Sequence, residues 1–250
     1  MILQKKAQEK NVEKAAFSSW SQGNGWKTFT AKTTCRMVDY FHSKVESRQC
    51  LNILEVGCGT GEHTPYLIKN CTTRVFACDL SKACVGAAKS KNPDALVLVA
   101  DAEFLPFQDG SFHAVFLGSL LHHFSDITQI LKECKRVLGD RGLFFAFDPN
   151  RYNPIIYFYR VIMGSRTMKT DNEVLYSRKH LNESFQKAGF AEWEINAAIP
   201  IYFTREYYTQ CLGLFFGHIV YLCNFIERFL FTFPRIGRYM GSFLISRAIK

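Results

Sequence analysis

The apolar positions of this chain keep two rhythms. From residue 51 onward, short dense apolar runs alternate with stretches in which apolar residues recur every three to four positions. Leu51, Ile53, Leu54 and Val56 form a run of the kind a strand buried on both faces needs. Residues 74–78, 95–100, 112–117 and 143–147 form four more, the last of them wholly apolar. Between them, residues 62–69 and 81–88 predict helices, the second with Ser81 as its N-cap. A further helix follows Asp126, with Ile127, Ile130, Leu131, Cys134 and Leu138 as one apolar face. Residues 106–111 read as a turn with Asp109-Gly110 at its tip, and residues 139–142 as another. Strand–helix alternation of this kind predicts a parallel sheet with helices on both faces.

The flanks are less regular. Residues 3–18 predict a helix, residues 21–34 a polar loop, and residues 35–45 a helix with Met37, Val38, Phe41 and Val45 on one side. After residue 150 come an aromatic-rich helix over 154–163, a polar stretch over 164–172, and a helix over 180–188 stopped by Gly189. Residues 191–199 and 241–249 read as strands, and residues 205–233 as apolar helix broken by 234–238. The expected organisation is an N-terminal helical cap (1–48) on one domain (49–250), with apolar helical insertions at 151–176 and 203–238.

Composition narrows the class. With 48% hydrophobic and 21% charged residues the chain is a folded globular protein. Its 250 residues carry a net charge of +9, and the excess lies wholly at the two ends. Residues 1–50 hold nine Lys/Arg against four Asp/Glu, residues 201–250 six against two, and the middle balances. Solvated faces explain this, as do an anionic membrane surface or an acidic substrate. No basic run interleaves with stacking aromatics, which argues against nucleic acid. Nine cysteines without a C-x-x-C pair imply reduced thiols and no zinc site. The lysine- and glutamate-rich start lacks a signal-peptide core, so the expected location is cytoplasmic, with membrane association left open.

Candidate chemistry concentrates where the first strand ends. Gly57, Gly59 and Gly61 alternate with small residues across a strand-to-helix turn, a geometry that brings bare backbone to a nucleotide-like ligand. Each of the first three strands also leads to an acid: Glu55 within the first, Asp79 ending the second, Asp101 ending the third. An acid ending the second strand of such a unit can accept both ribose hydroxyls, and one after the third an adenine amino group. Any one of them alone also reads as a turn former or cap.

This combination resembles class I S-adenosylmethionine-dependent methyltransferases, in particular the subgroup that includes quinone-biosynthesis methyltransferases. The resemblance rests on residues 54–61, 77–81, 101–107 and 109–115, and on Arg136-Val137-Leu138 with Gly142. His113 departs from it, standing where the subgroup usually has an acid. The resemblance implies a Rossmann-like α/β fold: three layers around seven strands, mostly parallel, the last antiparallel, with helical lid elements. It implies S-adenosyl-L-methionine as cofactor. Gly57, Gly59 and Gly61, with Cys58 among them, would pass under the methionine moiety, and Glu55 would hold its ammonium through water. Asp79 would bind the ribose, Leu80 would pack on the adenine, and Asp101 with the backbone of Ala102 would read the adenine edge. The backbone near Leu117 and Gly118 would accept from the ammonium.

Methyl transfer is an in-line displacement, and a neutral hydroxyl acceptor also needs a base. His122 and His123 lie where the family's substrate meets the methyl group; as histidines they also serve as caps or packing. Asp148, Arg151 and Tyr152 are the next candidates for substrate contact, while His63 reads as a cofactor-side or surface residue. The stretch after the fourth strand, Leu117-Gly118-Ser119-Leu120, lacks the motif of amino-methylating nucleic-acid enzymes, and no Pro-Cys pair exists for cytosine-carbon methylation. Residues 207–226 carry no formal charge, long enough for a membrane span, but Gln210, His218 and Asn224 interrupt them. A helical cover over the pocket and a monotopic membrane contact through Arg228, Arg235 and Arg238 are the two readings. With residues 155–159 they make the substrate side apolar. The expected function is O- or N-methylation of a hydrophobic small molecule or lipid; the alternative is a non-catalytic cofactor-binding or membrane-surface protein.

Overall fold

A computed structural model describes residues 2–21, 31–45, 51–68, 70–157, 173–198, 233 and 239–250. Seven strands form one sheet: β1 (Leu51–Val56), β2 (Thr73–Asp79), β3 (Leu96–Val99), β4 (Phe112–Gly118), β5 (Leu138–Pro149), β6 (Glu192–Ala198) and β7 (Phe243–Ile249). Their spatial order is β3-β2-β1-β4-β5-β7-β6. The first five run parallel, and β7 lies antiparallel between β5 and β6. The expected seven-stranded, mostly parallel sheet is therefore the observed one. Strand order reverses between β1 and β4, and in such sheets a crevice opens beyond the carboxyl ends at that point.

The helices are α1 (Ile2–Ser21), α2 (Ala31–His42), α3 (Thr64–Leu67), α4 (Lys82–Lys91), α5 (Thr128–Val137), α6 (Pro154–Tyr157) and α7 (Arg178–Ala188). Ser81 caps α4 by accepting from the Cys84 N–H, as its place in the sequence predicts. Ser177 caps α7, and Gly189 ends it at φ +79°. The Leu121–His123 stretch is a single tight 3-10 turn.

Three expectations need correction. The helix after the glycine loop has four residues, Thr64–Leu67, not eight: His63 is its N-cap, Pro65 lies in its first turn, and the backbone of Ile68 is already extended. Leu138 does not extend the apolar face of α5: it opens β5, opposite Phe112. Residues 139–142 are a bulge inside β5, since the register jumps from Phe112↔Leu138 to Ala114↔Leu143, with Arg141 at φ +57° absorbing the bend. The expected helical segments over 158–163 and 205–232, the polar stretch 164–172 and the break at 234–238 lie outside the described residues.

Alternation along the strands sorts the core into two faces. Leu54, Val56, Val115, Leu117, Phe144 and Ala146 point to the side covered by α5 and α7. Leu51, Ile53, Ala114, Phe116, Phe145 and Phe147 point to the other, which α2 covers with Met37, Val38 and Phe41. Phe145 centres the second face, stacked on Phe116 at 5.7 Å between ring centroids and edge-on to Phe41 at 5.5 Å. Phe145→Ala is expected to destabilise the protein by about 3–5 kcal/mol. Leu96→Ala on the edge strand, where the side chain is 58% exposed, should shift stability by no more than about 0.5 kcal/mol. Urea unfolding followed by circular dichroism measures both.

Candidate active site

The loop after β1 turns through three left-handed glycines: Gly57, Gly59 and Gly61 at φ +72°, +52° and +78°. They do different work. A Cβ at Gly61 would lie 2.4 Å from the Asn92 amide nitrogen and 3.2 Å from the Ala88 backbone, so this glycine lets α4 pack against the loop. A Cβ at Gly59 would meet nothing within 4 Å. Its bare backbone faces open space, which is what a bound ligand would require.

Asp79 ends β2 beside that loop. Its Oδ2 accepts the Gly59 N–H at 2.9 Å and its Oδ1 the Ser81 N–H at 2.8 Å. Burial holds this carboxyl above its ordinary value, although those two N–H groups and the nearby His123 oppose the shift. Leu80 follows it, half-buried. Asp101 follows β3 on the same sheet edge, and its Oδ1 accepts the Glu103 N–H at 3.0 Å. Ala102 beside it is buried. The two acids thus share one crevice rim with the glycine loop.

Glu55 faces the α3 side of β1 and is 1% exposed. Its Oε2 accepts from the Thr64 hydroxyl at 2.6 Å, while among the described residues Oε1 is buried without a hydrogen-bond partner. His63 Nδ1 lies 3.9 Å from it. Burial pushes Glu55 up to about 8 and His63 down to about 4, so both are neutral around pH 6. His63 is not a surface residue: its ring packs at 5.7 Å from Phe116 and 5.5 Å from Phe147, and a Cβ on Gly118 would touch it. Cys58 is buried under the loop, its thiol held far above its ordinary value by burial.

Across the crevice, β4 ends in Leu117 and Gly118, and Ser119 follows in the left-handed region at φ +59°. That bend carries the chain into the turn that bears His122 and His123, both buried. Asp148 of β5 accepts the His122 backbone N–H at 3.1 Å and lies 2.9 Å from its Nδ1, both through Oδ1. An oxygen already accepting from one N–H acts as acceptor for the ring as well, so Nδ1 carries the proton and Nε2 the lone pair. The His123 ring lies 4.0 Å from that of His122. Arg151 and Tyr152 stand apart from this group, exposed on the turn after β5, with Tyr152 56% exposed.

Two segments, one in the expected N-terminal cap and one in the expected insertion 151–176, bring to the site side chains that the sequence did not single out. Helix α1 crosses the crevice rim: Lys10 Nζ bonds Asp101 Oδ2 at 2.6 Å and Glu103 Oε2 at 2.5 Å. Burial opposes the Lys10 charge, but these two carboxylates outweigh it and raise its affinity for the proton. One turn along, Glu13 Oε2 lies 3.1 Å from His123 Nδ1, and Ser18 meets Ser81 at 2.9 Å between hydroxyl oxygens. The second segment is 173–176. Val174 donates to the His122 carbonyl at 2.7 Å, which brings Glu173 Oε1 to 4.0 Å from His123 Nδ1. The spacing of Lys10 and Glu13 puts them on one helix face, but only docking aims that face at acids more than ninety residues away.

Residues 54–146 match the family model described as a methyltransferase domain. The chain is 32% identical over 126 residues to a demethylmenaquinone methyltransferase from Chlorobaculum tepidum, a match covering 50% of this chain and 49% of that relative. It is 30% identical over 151 residues to a malonyl-[acyl-carrier protein] O-methyltransferase from Geobacter sulfurreducens, covering 57% of each. A solved S-adenosylmethionine-dependent methyltransferase from Thermotoga maritima superposes with a TM-score of 0.62 at 18% identity, covering 89% of this chain and 90% of that one; this likeness speaks for the fold alone. The chain spans about half the length of the curated relatives it matches. Fold and matched stretch together define a class I methyltransferase domain, the class that uses S-adenosyl-L-methionine. The likeness is carried by residues 54–146, and demethylmenaquinone methyltransferases are among the similar proteins.

The Glu55 carboxyl sets a pH dependence. Its pKa rises from 4.5 to about 8 on folding, so its contribution to stability is complete below pH 4.5 and is lost as pH rises toward 8. Glu55→Gln, a neutral isostere that keeps an acceptor for Thr64, is expected to leave the melting temperature little changed at pH 5. At pH 8 it should raise that temperature above the native chain's. Thermal melts of both proteins across this range measure the difference.

Proposed function

We propose that this protein transfers a methyl group from S-adenosyl-L-methionine to a hydrophobic small-molecule or lipid-like acceptor, at oxygen or nitrogen. The observation that carries the reading is the register of Gly59, Asp79 and Asp101 on one rim, with a histidine–carboxylate cluster facing it across the switch point. When bound, S-adenosyl-L-methionine supplies a methyl group already activated as a sulfonium. The chain's task is then approach geometry, exclusion of water and, for a hydroxyl, removal of one proton.

In this reading Gly57, Gly59 and Gly61 line the methionine end, with the Leu117 and Gly118 backbone opposite. Glu55 Oε1, buried and unsatisfied among the described residues, is the acceptor for the ammonium or a bridging water. Asp79 takes the ribose hydroxyls, with Leu80 on the base. Asp101 and Ala102 take the adenine edge once Asp101 exchanges the Lys10 ammonium for it. His122 is the proton acceptor through Nε2, with Asp148 a positioning residue acting through Nδ1; His123 stands beside it. Residues 1–48, 151–176 and 203–238 act as the cap and apolar cover of the acceptor side. The apolar and aromatic run 155–159 and the uncharged stretch 207–226 support an apolar acceptor, as do the demethylmenaquinone and malonyl-acyl-carrier methyltransferases to which the chain is similar. Among the described residues no helix is long and apolar enough to cross a membrane.

The test is transfer of label from methyl-labelled S-adenosyl-L-methionine to an organic-solvent extract and, separately, to polar metabolites. Label in the organic phase, lost on His122→Asn, is the expected result. Turnover of polar metabolites alone would defeat the hydrophobic acceptor, and cofactor binding without any transfer would favour the non-catalytic alternative. The glycines give a second expectation. Gly61→Ala should destabilise the fold by about 2–3 kcal/mol through its clash with α4 and its positive φ. Gly59→Ala should cost only about 1 kcal/mol of strain yet weaken cofactor binding at least tenfold, because its methyl enters the ligand's space. Calorimetric titration and thermal melts separate the two effects. By the same titration, Asp79→Asn should weaken binding by about 1–3 kcal/mol.

A further inference from the structure

The cluster around His122 holds more acidic groups than removal of one proton requires. Two imidazoles and three carboxyl groups converge there, each side chain no more than 10% exposed: His122, His123, Glu13, Asp148 and Glu173. They come from four separated stretches of chain.

We propose that His122, His123 and Glu173 form a binding site for one divalent transition-metal ion. One ligand atom from each of these residues lies within 4.8 Å of the other two. Bonds of ~2.0–2.2 Å to nitrogen and oxygen put the ligand atoms of a single ion at most ~4.4 Å apart, so small side-chain rotations close the set. His122 has the companion contact that metal-bound histidines use: Asp148 Oδ1, 2.9 Å from Nδ1, fixes the tautomer in which Nε2 is the ligand atom. Nε2 holds either the ion or a proton, so His122 acts as base only in the metal-free chain. Two imidazoles with one carboxylate suit Zn²⁺, Fe²⁺, Mn²⁺ or Co²⁺ better than Mg²⁺ or Ca²⁺, which prefer oxygen alone. Glu13, 3.1 Å from His123 Nδ1, is a neighbouring carboxylate on α1, so a bound ion would also tie this helix to the sheet. The cysteine-based expectation of no zinc site does not reach this set, which contains no thiol.

The proposal deepens the reading of this cluster as the acceptor side of the site, but its test uses neither cofactor nor acceptor. The reduced full-length chain is dialysed against Co²⁺ and its bound metal and visible spectrum are measured. The expected result is about one Co²⁺ per chain, with ligand-field bands of nitrogen and oxygen donors and no thiolate charge-transfer band in the near ultraviolet. Glu173→Gln and His123→Asn, each checked for folding by circular dichroism, should bind at least tenfold more weakly. Excess Mg²⁺ should not displace the ion, and Zn²⁺ should. No retained metal, a thiolate band, or unchanged binding in a folded variant would overturn the site. Where neither variant folds, the wild-type spectrum decides between these residues' donors and cysteine. Metal bound as expected in a chain that transfers no methyl group would leave the site standing and defeat the functional reading instead.

Discussion

Parallel pairing of β1 with both β2 and β4 is the constraint on which the site depends. In register, Val56 opposes Cys78, so the glycine loop leaves the sheet just where Asp79 ends the next strand. Phe116 opposes Glu55 on the other side, so Gly118 ends β4 at the same height. The loop, two of the acids and the turn bearing the histidines come from strands that are far apart in sequence, yet hydrogen-bonded pairing aligns their carboxyl ends. Burial on both faces holds that register, because slipping one strand by a residue would exchange its two apolar faces and move Glu55 to the wrong one.

Burial also sets the electrostatics. Glu55 and His63 meet under the loop, where desolvation drives both toward neutrality, so a carboxyl group and an imidazole coexist without forming an ion pair. Asp79 escapes part of that penalty because the Gly59 and Ser81 N–H groups point at it. The same N–H groups fix the loop's shape. One carboxylate therefore organises both the glycine turn and the start of α4.

Helix α1 alters the picture of the rim. By placing Lys10 on Asp101 and Glu103, and Glu13 on His123, it bridges the acid that follows β3 and the histidine cluster with two residues one helical turn apart. The N-terminal positive charge, attributable from composition to solvated faces or to an external anionic partner, is in part satisfied internally by the domain's own carboxylates.

Local pattern determined much of this protein. Apolar runs located all seven strands to within a few residues, Ser81 and Gly189 marked helix ends, and the glycine–acid spacing pointed to the cofactor rim, because each of these depends on neighbours in the chain. The bulge at 139–142 was misread as a separating turn, since Gly139 and Gly142 serve either and only the offset against β4 tells them apart. His63 looked equally suited to surface or cofactor until the packing of Phe116 and Phe147 enclosed it. The cluster of Glu13, His122, His123, Asp148 and Glu173 was half visible: the histidine pair and Asp148 lie at strand ends, whereas the two glutamates come from irregular or flanking segments with no pattern of their own. Their convergence was decided by tertiary structure alone, because contacts between residues 50 and 110 positions apart follow from how α1 and segment 173–176 dock on the sheet, and nothing in the local sequence encodes that distance.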